Sequence, residues 1–220
     1  MNRTFYGKVA IVGPTGTGKS YITKTADRKT TGYINSEIQP LPYKAEAFTF
    51  TGVPKTWAGF LKNLTEYTSN PEIKRIIIDS QTMAFNQLNT EMQTNYTGWD
   101  IAKGYNREVA KYLKLVREIE KDVLVFSHDE LVKVDDGTKQ RRMKVHNKEF
   151  EGKVEEYYTI VLYTGSRIKD SKPQFFLRTF WEDSSAKTPE GLFPDRNGAN
   201  LLEIPNDAEY IFNALEKYYI

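Results

Sequence analysis

The chain has 220 residues, 39% hydrophobic and 27% charged, with a net charge of +2. That is enough for one well-buried α/β domain and short for two, and any nucleic-acid contact must come from a local patch rather than a global field. The absence of cysteine excludes disulfides, thiolate metal sites and cysteine nucleophiles and fits a reducing, cytoplasmic location, while no apolar run approaches the roughly 18 residues of a membrane span and Met1-Asn2-Arg3-Thr4-Phe5 lacks a signal-peptide core.

Lys8-Val9-Ala10-Ile11-Val12 reads as a short buried strand. Gly13-Pro14-Thr15-Gly16-Thr17-Gly18-Lys19-Ser20 follows, a complete G-x-x-x-x-G-K-[ST] phosphate-binding loop. Its glycines let the backbone curl so that successive N–H groups meet one anion. A helix is expected to start near Lys19 and run through Tyr21 to Lys24, adding the positive end of its dipole. Lys19 is placed to reach the β- and γ-phosphates of ATP, and the Ser20 hydroxyl to hold Mg²⁺.

Gly32 to Ser36 reads as a second strand ending at Glu37, and Ala45 to Phe50 as a third extended piece. Thr56 caps a helix carrying Trp57, Phe60, Leu61, Leu64 and Tyr67 on one face. Lys74 to Asp79 is a buried strand, and a helix from about Gln81 follows. Tyr96 to Arg107 starts irregular, then Val109, Tyr112, Leu113, Val116 and Ile119 mark an amphipathic helix leading to the buried strand Asp122–Ser127. This alternation predicts a doubly wound parallel sheet with right-handed crossovers.

After His128 the pattern changes. Leu131 to Val134 and Arg141 to Val145 flank Asp136-Gly137, a hairpin signal. Tyr157 to Tyr163 and Gln174 to Phe180 read as strands extending the sheet in antiparallel fashion. Asn206 is the expected cap of a last helix, with Glu209 three residues on. The expected organisation is a single domain over 1–220: a P-loop core over about 5–128, a β-rich extension with a basic hairpin over about 129–204, and a C-terminal helix over about 206–219.

A triphosphate site needs an acidic residue for the Mg²⁺ shell. Asp79, at the carboxyl end of Ile76-Ile77-Ile78, fits that role, the alternative being a cap for the next helix. Hydrolysis also needs a carboxylate for the attacking water. Ser80 follows Asp79 where many ATPases place a glutamate, so Glu37 is the replacement, with a solvated loop carboxylate as the alternative. His128 ends a buried strand at the same edge and could report the γ-phosphate to the loop beyond it, or be a satisfied structural histidine.

Five basic residues and no acidic ones lie between Lys139 and Lys148. Lys139, Arg141, Arg142 and Lys144 make a candidate contact for the phosphates of single-stranded DNA, against an ordinary solvated hairpin. Tyr96-Thr97-Gly98-Trp99, with Lys103, Tyr105 and Arg107, mixes aromatics with cations and forms a second candidate, against core packing.

Together, Gly13 to Ser20, Asn35-Ser36-Glu37, Ile76 to Ser80 and Phe126-Ser127-His128 resemble the RecA-like P-loop ATPases. The spacing is most similar to small phage nucleotide-binding proteins of that group, including Sak-type single-strand-annealing recombinases. Ser185 to Gly191 and Pro205-Asn206-Asp207 resemble that group's C-terminal end.

The resemblance implies a RecA-like fold and an ATP-hydrolysing, Mg²⁺-dependent activity stimulated by single-stranded DNA in phage recombination or replication. It also implies a homo-oligomeric ring or filament with ATP between subunits, Glu37 as general base, and a host-cytoplasmic location. A single-strand-binding protein is a further implied partner. Lys187 would be the cation inserted toward a neighbour's γ-phosphate, although Thr188-Pro189 follow it where relatives show a lysine–arginine pair. Arg178 is the alternative, and a surface lysine the plain reading of Lys187. The N-terminal polymerisation element of larger recombinases is expected to be absent ahead of the first strand. Two other functions remain open on the residues alone: a small-molecule or nucleotide kinase with a basic lid, and a nucleotide-switched DNA-binding module with little turnover.

Overall fold

In the computed structural model, which describes residues 3–133 and 137–219, one eight-stranded sheet runs through the molecule. Its strands are β1 (Lys8–Val12), β2 (Thr31–Asn35), β3 (Phe50–Gly52), β4 (Arg75–Asp79), β5 (Asp122–Ser127), β8 (Ile160–Lys169), β9 (Lys172–Arg178) and β10 (Glu203–Pro205). Their spatial order is β10-β9-β8-β1-β5-β4-β2-β3. β6 (Asp129–Lys133) and β7 (Lys139–Met143) pair only with each other, as a separate antiparallel hairpin. The expected fold class is observed in its architecture: an α/β domain with a mostly parallel sheet extended by antiparallel strands.

Side-chain alternation explains why both faces are covered. Val9 and Ile11 of β1, Ile77 of β4, and Leu124 and Phe126 of β5 pack on one face against α4 (Ala208–Tyr218), through Ile211, Phe212 and Leu215. Ala10, Val12, Ile76, Ile78, Val123 and Val125 face the other way, against α1 (Trp57–Ser69), α2 (Gln81–Asn95) and α3 (Trp99–Glu118). A strand buried on both sides has no polar face to show, which is why β1, β4 and β5 read as apolar runs. α2 and α3 pack together, with Met92 filling the space a side chain at Gly104 would need. No helix among the described residues is long and apolar enough to cross a membrane.

Several expectations are corrected. The segment after the phosphate loop is a 3-10 helix, Ser20–Thr25, rather than an α-helix from Lys19. Thr23 Oγ1 donates to the Ser20 carbonyl at 2.8 Å, and Asp27 accepts from Lys29 N and Thr30 Oγ1, so side chains compete with helical bonding and close the element early. Of the third extended piece, Ala45 to Phe50, only Phe50 lies in a strand, which runs Phe50–Gly52. The stretch expected to be irregular is helical from Trp99, behind Gly98 at φ 57°.

β8 enters the sheet parallel to β1, with Val9 opposite Ile160 and Val12 opposite Tyr163; β9 and β10 supply the antiparallel extension. The hairpin strands lie two residues earlier than expected, and Val134 and Asp136 fall outside the described residues. Asp207, not Asn206, caps α4 by accepting from Tyr210 N at 2.9 Å.

The cap yields a direct test. Asp207→Ala removes the bonds to Tyr210 and Thr25 and should cost about 1 kcal/mol. Thermal melting should register this as a fall in Tm of roughly 2–4 °C.

Candidate functional site

The register of the parallel strands gathers the chemistry at one edge. Val12 stands opposite both Ser127 and Tyr163, and Asn35 opposite Asp79, so the segments leaving β1, β2, β4 and β5 all turn at the carboxyl end of the sheet. There they enclose a cleft of about 540 Å³ lined by Lys19, Ser20, Glu37, Asp79 and His128.

The phosphate loop forms its floor. Gly16 and Gly18 take φ of 81° and 91°, which side-chain-bearing residues rarely adopt. The Phe175 ring would also meet a Cβ at Gly18 at 2.6 Å. None of the backbone N–H groups of residues 16–20 has an acceptor among the described residues, the condition that makes such a loop an anion receptor. Lys19 is 8% exposed, and its ammonium donates to the Gly13 and Pro14 carbonyls at 2.7 and 2.8 Å. Burial lowers its pKa, opposed by Asp79, Glu37 and Asp129.

Asp79 is 2% exposed and accepts from the Tyr33 hydroxyl at 3.0 Å. Burial pushes its carboxyl up to about 6, against the pull of the Ser20 and Tyr33 hydroxyls. The cap of α2 is Ser80, whose hydroxyl accepts from Met83 N, so Asp79 is not the helix cap. A buried carboxylate beside the Ser20 hydroxyl is a hard-oxygen donor pair of the kind Mg²⁺ takes alongside substrate phosphates and water.

Glu37 is half-buried. Its Oε1 accepts from Ser80 Oγ at 2.7 Å and lies 3.4 Å from His128 Nε2. The His128 contact holds the Glu37 carboxyl below its usual range, with Ser80 and Lys19 adding to the effect against burial. His128 in turn is fixed through its backbone, its N–H donating to Thr82 Oγ1 and its carbonyl accepting from Lys144 N, both at 2.9 Å.

Part of the cleft wall is apolar. Tyr21, Pro40, Leu41, Pro42 and Phe175 line it, and Tyr21 meets Phe175 with ring centroids 5.5 Å apart. Sequence reasoning missed these residues: Tyr21 directly follows the loop, but nothing in the spacing connects Phe175 to it. A larger concavity of about 790 Å³ opens elsewhere, beside Arg3, Lys8, Arg117 and Glu156. Its buried cation, Lys8, is already committed to the Ile119 and Lys121 carbonyls, so the smaller cleft is the one with the chemistry.

The remaining predicted residues lie apart from the cleft. Lys187 pairs by its backbone with Val161, well before the carboxyl end of β8, and its charge is set against Glu155 and Glu156. Arg178 stacks on Trp181 at 4.6 Å. Arg141 is ion-paired with Asp129 and lies over Trp181 at 5.1 Å, so its side chain holds the hairpin in place. Arg142 donates to Gln140, while Lys139 and Lys144 are exposed. Trp99 is 83% exposed, with Lys103 and Arg107 one and two turns further along the same face of α3, whereas Tyr105 is buried in the core beside Phe85 and is not available to a base.

The AAA-domain family matches residues 6–188, a span running from the approach to β1 past the hairpin to Thr188. The chain belongs to that family. As an AAA domain with a complete phosphate loop it is a P-loop NTPase. Among solved structures it is similar to a KaiC-like protein from Pyrococcus horikoshii, at 13% identity over 79% of each chain with a TM-score of 0.45. It is also similar to the flagellar accessory protein FlaH from Methanocaldococcus jannaschii, at 12% identity over 90% of this chain and 84% of that one with a TM-score of 0.43. No curated protein matches the sequence.

The raised Asp79 pKa has a stability consequence. A buried acid favoured in its neutral form stabilises the fold below its unfolded pKa, and that contribution is lost as pH rises through about 6. In Mg²⁺-free buffer at pH 8, Asp79→Asn should therefore raise Tm by roughly 3–6 °C. The advantage should vanish near pH 4; a Tm gain of equal size at both pH values would refute the assignment.

Proposed function

We propose that this AAA domain hydrolyses ATP and couples the reaction to single-stranded DNA, in phage-type recombination or replication. The observation that carries the reading is the placement of Glu37. Its carboxylate sits at the cleft mouth, held by Ser80 and His128, and the basic hairpin starts at the residue after His128.

In this reading the free N–H groups of the loop and the Lys19 ammonium bind the β- and γ-phosphates. Lys19 leaves its two loop carbonyls to do so. Ser20 and Asp79 would hold Mg²⁺, which when bound neutralises phosphate charge. Tyr21 and Phe175 offer the base an apolar wall. Glu37, kept ionised by His128 and Ser80, orients a water for in-line attack and accepts its proton. A small-molecule kinase would gain nothing from a carboxylate so placed, because it would activate water against the intended acceptor.

DNA contact is assigned to Lys139, Arg142 and Lys144 on the hairpin and to the exposed Trp99-Lys103-Arg107 face of α3. Assembly into a ring or filament with ATP between subunits belongs to the same reading, with Lys187 or Arg178 as the cation facing a neighbour's nucleotide.

The test is steady-state ATP hydrolysis with and without long single-stranded DNA. DNA should stimulate the parent, and Glu37→Gln should lower turnover by about 10²–10⁴-fold while still binding ATP. A rate indifferent to DNA would remove the coupling, and an unchanged Glu37→Gln rate would remove the base.

A second measurement addresses the hairpin. Lys139→Ala with Lys144→Ala should weaken single-strand binding and flatten its salt dependence, by roughly 0.7 in log–log slope for each phosphate no longer neutralised. A slope equal to the parent's would exclude these two lysines from the interface.

A further inference from the structure

Asn206 stands one residue before the cap of α4, yet its side chain leaves that helix. Its Nδ2 donates to the Gly18 carbonyl at 2.9 Å, across 188 residues of sequence. Gly18 O also accepts from Ile22 N at 3.2 Å, so two donors hold this carbonyl on the outer side of the loop.

The consequence follows from peptide geometry. The Gly18 carbonyl and the Lys19 N–H belong to one planar trans unit and point in opposite directions. Fixing the carbonyl outward fixes the Lys19 N–H toward the cleft. That N–H has no acceptor among the described residues. Gly18 sits at φ 91°, and glycine crosses between backbone regions more readily than any other residue. Without an external tie, rotation of this peptide would turn a carbonyl dipole toward the phosphates.

The anchor is itself well held. β10, which pairs with β9, leads directly into Asn206. Asp27 N donates to Glu209. Arg75 binds Glu209 and Glu216 of α4 while lying over Phe212. The Asn206 Oδ1 is buried without a partner among the described residues, so the donor end is the part of the amide in use.

We propose that Asn206 is a positioning residue of the nucleotide site, acting through the Gly18–Lys19 peptide to aim a backbone N–H at the bound phosphate. This rests on the phosphate-loop reading above. It assigns the C-terminal segment a role in affinity that the loop's own sequence does not disclose.

The experiment compares ATP·Mg²⁺ affinity, by calorimetry in the Glu37→Gln background, with thermal stability in the absence of nucleotide. Asn206→Ala and the near-isosteric Asn206→Asp both remove the donor. Each should raise the Kd about tenfold, with a smaller effect on Tm than Asp207→Ala. Asp207→Ala should lower Tm and leave the Kd within twofold. If both Asn206 variants bind with parental affinity, or if their Kd changes merely track a loss of Tm as large as that of Asp207→Ala, the proposal is overturned and Asn206 is a packing residue. Lys19→Ala separates the two levels: parental affinity in that variant would sink the phosphate reading itself, whereas its loss alongside unchanged Asn206 variants would sink only the positioning role.

Discussion

A buried ammonium at the end of the central strand sets the terms for the surrounding structure. Lys19 has almost no contact with solvent, and such a charge is costly unless it is paired or hydrogen-bonded. The loop meets that cost by curling back so that two of its own carbonyls accept from the ammonium, while Asp79 and Glu37 favour its charge from the neighbouring strand ends. The curl needs positive φ at Gly16 and Gly18, and it leaves a series of N–H groups unpaired among the described residues. A receptor for a polyanion is therefore a by-product of stabilising one lysine. An incoming phosphate would compete for the same ammonium and satisfy the same N–H groups.

The sheet supplies the second half of the arrangement. Parallel strands in register end at one edge, so Asp79, Glu37 and His128 arrive beside the loop although they are far apart in sequence. The side chains then divide by environment. Asp79, enclosed and pushed toward its neutral form, is suited to meeting a cation. Glu37, nearer the mouth and hydrogen-bonded by His128 and Ser80, stays ionised. Two carboxylates one hydrogen-bonding layer apart thus have different proton affinities, the condition under which one can serve as a metal ligand and the other as a base.

What was legible in the sequence follows the range of the forces involved. The phosphate loop, the apolar strands β1, β4 and β5, and α1 with its Thr56 cap are set by local pattern and were readable. The parallel entry of β8 beside β1 depends on pairing across about 150 residues, and strand composition does not encode direction. The 3-10 helix arises from threonine side chains that bond backward, a competition that propensity alone does not resolve. Trp99 illustrates the opposite failure: an aromatic beside glycine reads as loop or core, whereas Gly98 starts a helix that leaves the indole in solvent. Phe175 and Asn206 reach the loop from strands and turns with no motif of their own, so only the assembled fold reveals them.

The hairpin's attachment decides which of its cations can meet a partner. Arg141 is consumed on three sides: its side chain by Asp129 and the Trp181 ring, its backbone by Asp183. The Tyr163 hydroxyl and the Glu155 carboxylate bond the adjoining backbone at Arg141 and Met143. The base of the hairpin is therefore part of the folded body, and the exposed Lys139 and Lys144 side chains have no ion-pair partner among the described residues. One end of the hairpin is continuous with His128, whose ring meets Glu37 and whose carbonyl receives Lys144 N. The proposed function would use this continuity, since a displacement of the Glu37 carboxylate could then reach both strands of the hairpin through the His128 imidazole and backbone. Because the clamp at Arg141 resists bending, such a shift would move the hairpin as a unit. Rigid attachment of that kind favours the proposed coupling, since a loosely held arm would absorb a displacement instead of passing it on.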